Sequence, residues 1–379
     1  LNRAVIDCEK LRNNVSQINQ TIPDNCKIIA VVKGDAYGHG LEGIAKELDK
    51  NDSIIMFAVS SFEEAMNCIN CGVKKKILLL NPAPYFYLRN ALKEYDSRMR
   101  RRIAEQLHFS VCSTEEFNSF EKISYEYDIR INIHLRLDFS GGYRGFNRKG
   151  FSDCMKDLFN DHSNCKIKGI YSQVYSFYYD NPDFAKTDMK EYMSALEKIP
   201  DRYRKEMLVH FLTSLSYYKY PEYCFDAVRI GAALYGMPVS RNAEDNLGLQ
   251  EVMSISGTVL NVVNVNGESM LDYTGRCMAQ NRKIAVLSFG SWDIPNFFKS
   301  EKTTVMIRNH LFTIVGSPCM DSFCVDVTDC VEVQPGDDVW MLDSFTGISL
   351  KDKILENNFD ILDCQMMFSG MSRINKYYK

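Results

Sequence analysis

Long apolar runs are missing from this chain. No stretch approaches the roughly 18 consecutive hydrophobic residues of a membrane-spanning helix, so no such span is expected. An excess of basic residues is missing too. Lysine and arginine number 45 against 49 aspartates and glutamates, a net charge of -4, which leaves no global cationic footprint for nucleic acid. The local basic run Arg98-Met99-Arg100-Arg101-Arg102 reads as a solvated face. Metal-ligand spacing is nearly absent. Cys68-Ile69-Asn70-Cys71 is the one C-x-x-C, without a second pair or a histidine at metal spacing, so no metal site is expected. Internal repeats, low-complexity tracts and a signal-peptide pattern are lacking as well. The chain opens on Leu1 rather than methionine, which leaves a preceding segment open. What is present is ordinary for a soluble globular protein: 45% hydrophobic and 25% charged residues over 379 positions, enough for two or three domains of about 150 residues. The 13 cysteines are irregularly spaced and sit among Ile, Val, Phe and Met, as expected of reduced core thiols in a cytoplasmic protein.

The first 240 or so residues alternate short β-rich runs with helical patterns. Strands are expected at 27–33, 54–60, 76–81, 108–112, 130–138, 167–174, 207–213 and 227–230. Several are continuously apolar, which is how strands buried on both faces read. Helices are expected at 9–21, 61–70 and 114–127. The latter two open on capping boxes, Ser61 with Glu64 and Ser113 with Glu116. Eight strands with intervening helices is the requirement of a (β/α)8 TIM-type barrel, an α/β fold. The alternation stops near Gly236. Strand then follows strand at 250–265, 283–289, 303–315 with a turn at Arg308-Asn309-His310, 322–328 and 338–342, interrupted by a helix at 348–357. The chain therefore reads as a barrel followed by a mostly β C-terminal domain, with the boundary in the polar stretch 238–248.

In such a barrel the chemistry sits where strands end. Lys33 closes the first strand and enters Gly34-Asp35-Ala36-Tyr37-Gly38-His39-Gly40. Desolvation there lowers an amine's pKa, and a neutral amine can form a Schiff base. The glycines let backbone pass close to a ligand, and Tyr37 and His39 supply polar tips. The bland alternative is a lysine that snorkels to solvent.

The segment Ala30-Val31-Val32-Lys33-Gly34-Asp35-Ala36-Tyr37-Gly38-His39-Gly40 resembles the cofactor-lysine motif of the alanine racemase family, the fold-type III pyridoxal-phosphate amino-acid racemases. Three further segments are similar to that family's signatures, in the same order. They are the opening (Arg3–Asp7 with Leu11–Val15), Val228-Arg229-Ile230-Gly231 with Leu234-Tyr235-Gly236, and Gly316 through Thr328. The resemblance implies a pyridoxal 5'-phosphate barrel over 8–237, a mostly β domain from 1–7 and 238–379 that completes the partner's active site, and a head-to-tail homodimer. It implies that Lys33 binds the cofactor covalently and acts as an acid–base group. Tyr37, Ser214 and the backbone of Gly231 and Ala232 would hold the phosphate, and Arg229 would face the pyridine nitrogen. Met320 would offer its N–H to the substrate carboxylate of the other subunit's site, with Asp321 supporting that turn.

The likeness breaks on the opposite side of the substrate. The family's second base, a tyrosine in a G-Y-A-D-G motif, falls at Ser291 in Gly290-Ser291-Trp292-Asp293. Serine is far less acidic than a phenol of pKa about 10, and it is shorter. The histidine beside that tyrosine falls at Gln173, the lysine often carbamylated at Arg136, and the arginine near the cofactor's phenolic oxygen at Tyr143 or Arg144. Thr213 replaces an Asn, and a C-terminal tyrosine falls near Ser369. Tyr143, Tyr175 and Tyr273 are the candidate replacement bases.

Three readings follow. The first is a racemase of the alanine or serine type, acting on a small amino acid. The second is a pyridoxal-phosphate lyase, aldolase or decarboxylase on the same scaffold, since one base suffices for retro-aldol cleavage. The third is an inactive cofactor-binding homologue. A membrane-bound serine racemase carries such a domain after its transmembrane helices, so the unseen start matters to the localisation.

Overall fold

A computed structural model describes residues 2–139, 144–160, 163–178, 182–239, 247–266, 281–298, 302–330, 332–357, 368 and 371–379. Two compact units emerge: one of Ile18–Gly34 and Leu41–Gly231, the other of Leu1–Gln17, Asp35–Gly40 and Ala232–Lys379. Strands are numbered along the chain, from β1 (Arg3–Ile6), which belongs to the second unit.

The first unit is an eight-stranded parallel barrel. Its strands are β2 (Lys27–Val31), β3 (Ile54–Val59), β4 (Lys76–Leu79), β5 (Leu107–Val111), β6 (Ile131–Leu137), β7 (Cys165–Ser172), β8 (Leu208–His210) and β9 (Ala227–Ile230). They pair in the order β8-β7-β6-β5-β4-β3-β2-β9. The two ends meet: Thr213 bridges Arg229 in parallel, and Arg229 N–H donates to Leu212 O at 3.0 Å. All eight expected strands are present: five are shorter than expected, β5 and β7 are shifted one and two residues toward the N-terminus, and β9 matches. β5 and β9 are buried along their whole length, including the polar His108, Ser110 and Arg229. Of the two expected capping boxes, the one at Ser61 forms in full and the one at Ser113 in part. Ser61 Oγ accepts from Glu64 N while the Glu64 carboxylate reaches back to Ser61 N, opening the helix Phe62–Asn70. Ser113 Oγ accepts from Glu116 N, and the Glu116 carboxylate takes Cys112 N one position earlier than a standard box. The link between β4 and β5 holds two helices, Tyr85–Lys93 and Ser97–Gln106, which the sequence reading did not separate.

The second unit is mostly antiparallel. Its remaining strands are β10 (Met253–Val265), β11 (Arg282–Leu287), β12 (Thr304–Ile307), β13 (His310–Val315), β14 (Phe323–Asp326), β15 (Asp338–Leu342) and β16 (Asn375–Tyr378). The order is β11-β14-β13-β12-β15-β10-β1-β16, and β10 also pairs β11. The sheet thus closes a ring through β10, whose first half pairs β15 and β1 and whose second half pairs β11 after a register shift between Val259 and Asn261. The turn expected at Arg308-Asn309-His310 is a residue shorter. Arg308 and Asn309 take φ of 49° and 64°, and His310 already pairs in β13. β16, parallel to β1, was not anticipated.

The 11 described cysteines are free; Cys26, Cys68, Cys154, Cys165 and Cys224 are buried and the rest half-buried. Core packing thus accounts for five of them. Among the described residues no helix is long and apolar enough to cross a membrane.

Candidate active site

β2 stops at Val31, two residues before the expected end, and the chain turns at Lys33. Gly34, Asp35, Ala36 and Tyr37 have φ of 63°, 54°, 55° and 53°. This is a left-handed turn, closed by Gly40 N–H to Asp35 O at 2.8 Å. L-residues resist that conformation by roughly 1–2 kcal/mol each, and three of the four are not glycine. Tertiary contacts hold the strain. His39 is 1% exposed, and its Nδ1–H donates to Ala36 O and Tyr37 O at 3.1 and 3.0 Å. Its ring stacks on Tyr235 with centroids 4.4 Å apart. Burial pushes the imidazole pKa down to about 4, so it is neutral. His39 is therefore a pin for the turn and not the polar tip expected from the sequence. Tyr378 Oη donates to His39 O at 3.0 Å, and Lys376 pairs Asp35 at 2.8 Å. Tyr37 is half-buried, with its ring 5.3 Å from that of Tyr235.

Lys33 is exposed to solvent. It nevertheless sits among enough protein that desolvation is the main cause holding its pKa below the ordinary lysine value. Glu64 opposes this, and Arg136, Arg229 and Arg144 reinforce it. Water reaches a group at the end of a barrel strand without surrounding it. Glu64 has a second task beyond capping: Oε1 accepts Gly34 N–H at 2.6 Å, anchoring the residue after the lysine.

The rest of the barrel's candidate residues gather at the same strand ends. Ser214, after the seventh barrel strand, is buried, and its Oγ accepts Gly231 N–H at 2.9 Å, after the eighth. Ala232 is buried. Arg229 is 3% exposed. Its Nη2 donates to Ser172 O at 2.7 Å and its Nη1 to His210 O and His210 Nδ1, at 2.5 and 3.0 Å. Arg136 Nη1 donates to Leu80 O at 3.2 Å, while its Nε is buried without a hydrogen-bond partner. Arg144 is exposed and donates to Tyr175 Oη at 3.1 Å. Gln173 is half-buried. Tyr143, Tyr273, Ser369, Cys277 and Cys364 lie outside the described residues.

In the second unit, Ser291 N–H donates to Cys319 O at 2.8 Å and Trp292 N–H to Met320 O at 3.0 Å. The segments 290–293 and 319–322 are thus zipped together, which brings Ser291 beside Met320. Gly290 permits this, because a Cβ there would fall 2.2 Å from Asp321 N. Asp293, 1% exposed, accepts Gly290 N–H at 2.9 Å and pairs Arg373 at 3.0 Å. Met320 is 60% exposed, and Asp321 is exposed with Ser322 Oγ donating to its carboxylate at 3.4 Å.

Comparison with known proteins decides the family. The pattern of the alanine racemase N-terminal domain matches residues 6–238, and that of the alanine racemase C-terminal domain matches 252–378. The chain belongs to the alanine racemase family. Alanine racemase 1 of Caldanaerobacter subterraneus subsp. tengcongensis is 26% identical over 379 residues, covering 98% of this chain and 92% of the relative. The alanine racemase of Clostridium difficile 630 superposes with a TM-score of 0.86 at 20% identity, covering 100% of this chain and 95% of that one. The Bartonella henselae alanine racemase, solved with covalently bound pyridoxal phosphate, gives 0.82 at 22% identity, covering 100% and 99%. As a family member the chain is a pyridoxal-phosphate-dependent isomerase, a racemase of a small amino acid. The residues present fit that cofactor: a lysine with a lowered pKa, a hydroxyl and an N–H joined at the ends of the seventh and eighth barrel strands, and an orphaned buried guanidinium nitrogen on Arg136. Sequence reasoning missed Glu64's hold on Gly34 and the histidines linked to Arg229. Glu64 was legible as a cap, but nothing local announces its second partner.

Proposed function

We propose that Lys33 carries the cofactor and works one face of the substrate's α-carbon, in a racemase acting on alanine or serine. Bound covalently, pyridoxal phosphate draws electrons from that carbon and makes its hydrogen acidic. Lys33, whose pKa desolvation lowers, takes that proton. Ser214 and the N–H groups of Gly231 and Ala232, with Tyr37, hold the phosphate. Arg229 presents a permanently charged guanidinium to the ring nitrogen and keeps it unprotonated. Met320 N–H and the turn carrying Asp321 receive the substrate carboxylate in a partner subunit's site, in a head-to-tail homodimer. The observation that carries the reading is Lys33 at the end of the first barrel strand, in one barrel with the Ser214–Gly231 pair.

Ser291 favours a second reading. No phenol stands at that position, so Lys33 is the one base assigned here, and one base suffices for a lyase. Two measurements separate the readings. The visible absorbance of bound cofactor is expected to vanish in Lys33→Ala; a band that persists removes Lys33 from its role. Solvent deuterium is expected at the α-carbon starting from either enantiomer. Exchange from one enantiomer alone, with glycine and an aldehyde released from a β-hydroxy amino acid, makes the lyase the correct reading.

A further inference from the structure

The barrel interior holds a continuous buried chain of polar rings. His108 lies on β5, His134 on β6, His210 on β8 and Arg229 on β9; all are at most 7% exposed. Arg229 Nη1 meets His210 Nδ1 at 3.0 Å, His210 Nε2 meets His134 Nδ1 at 3.0 Å, and His134 Nε2 meets His108 Nδ1 at 2.9 Å. The fold is bent to seat the middle ring. The β6–β7 register shifts between Ile133 and His134, and the residue paired with His134 is Gly169. A Cβ on Gly169 would fall 2.3 Å from His134 Nδ1, inside the ring's own space. β7 carries both devices, the extra residue Lys168 and the missing side chain at Gly169, and both lie opposite His134.

Elementary valence fixes where every proton lies. Arginine only donates, so His210 Nδ1 must be the acceptor. A neutral imidazole has one N–H, which therefore sits on His210 Nε2 and points at His134 Nδ1. His134 Nδ1 must accept, so its own N–H is on Nε2 and points at His108 Nδ1. A charged ring anywhere in the chain would set donor against donor, and burial holds all three rings neutral by pushing their pKa values down. The three N–H bonds run one way, away from Arg229. Its terminal nitrogens donate to the carbonyls of Ser172, His210 and Phe211 and to the His210 ring.

We propose that His134 is a positioning residue: acting through His210, it fixes the direction of the Arg229 guanidinium toward the cofactor's ring nitrogen. The functional half rests on the role given to Arg229 above; the proton assignment does not. His210 keeps its lone pair on Nδ1 because His134 accepts from Nε2. Remove that acceptor and the other tautomer of His210 competes, with an N–H facing Arg229.

The test uses the holoenzyme. Nitrogen NMR of the parent should show His134 and His210 as single Nε2–H tautomers that do not titrate between about pH 5 and 9. His134→Leu and Gly169→Ala should each mix the His210 tautomers, move the absorbance of the lysine–cofactor bond and lower kcat about tenfold with KM little changed, one hydrogen bond's worth. His134→Asn, whose amide oxygen still accepts at the δ position, should restore most of kcat and the parental spectrum. If His134→Leu does not fold, Gly169→Ala and His134→Asn carry the comparison alone. An Nδ1–H on His210 in the parent, or parental kcat and spectrum in both disruptive variants, overturns the proposal. Absorbance that never depended on Lys33 would instead overturn the cofactor reading, leaving the tautomers standing.

Discussion

Lys33 has three guanidiniums and one carboxylate in its field, and desolvation with the arginines outweighs Glu64. A lysine so placed offers more neutral amine near pH 8 than a surface lysine does. Ser291, half-buried, stands where the resemblance puts the family's second base, and a serine has no phenol. Glu251, in the second unit, carries a carboxyl shifted by burial. Its Oε1 accepts Leu350 N–H at 2.8 Å, its Oε2 is buried without a partner, and burial raises its pKa to about 7. A raised folded-state value means the folded protein binds this proton more tightly than the unfolded chain. The stability it contributes is complete below the ordinary glutamate range and is lost as pH rises through about 7. Glu251→Gln should remove that slope, gaining at most on the order of 3 kcal/mol at pH 8 relative to pH 4. Denaturant unfolding of both proteins at the two pH values checks it, and parallel losses would show that Glu251 is not the source.

The β12–β13 hairpin turns on two residues that both have positive φ, the geometry that favours glycine at the second position. Asn309→Gly should raise stability by about 0.5 kcal/mol without touching activity, read as a small rise in Tm; a fall would mean the Asn309 side chain does more than tolerate the turn. Such local features are the legible ones. The capping boxes, the alternation of strand and helix and the switch to strand after strand all lie within a few residues of their cause. The left-handed turn after Lys33 was not legible, because Asp35, Ala36 and Tyr37 have no preference for it and contacts from Tyr235, Lys376 and Tyr378 impose it. The histidine chain was hidden for a related reason. His108, His134 and His210 lie on three strands, and only closing the barrel puts their nitrogens about 3 Å apart. The motif residues Lys33, Ser214, Arg229 and Gly231 were found through resemblance, since spacing alone offers no reason to link positions nearly 200 apart.

At the scale of the whole molecule, the division of labour between chains is the open quantity that one mixing experiment reads. If Lys33 and Met320 serve one site from different subunits, inactive Lys33→Ala and Met320→Pro proteins should complement each other after refolding together. Half of random dimers are mixed and one of the two sites in each is whole, so about a quarter of parental activity is expected. No recovery, with dimers formed, would place both residues in the same subunit's site. The final strand adds a different kind of dependence. β16 runs beside β1, and its Tyr378 closes on the carbonyl of His39, 339 positions earlier. Synthesis on the ribosome therefore delivers the latch for the strained turn after all eight barrel strands. The nascent chain can complete its barrel strands long before that turn is locked.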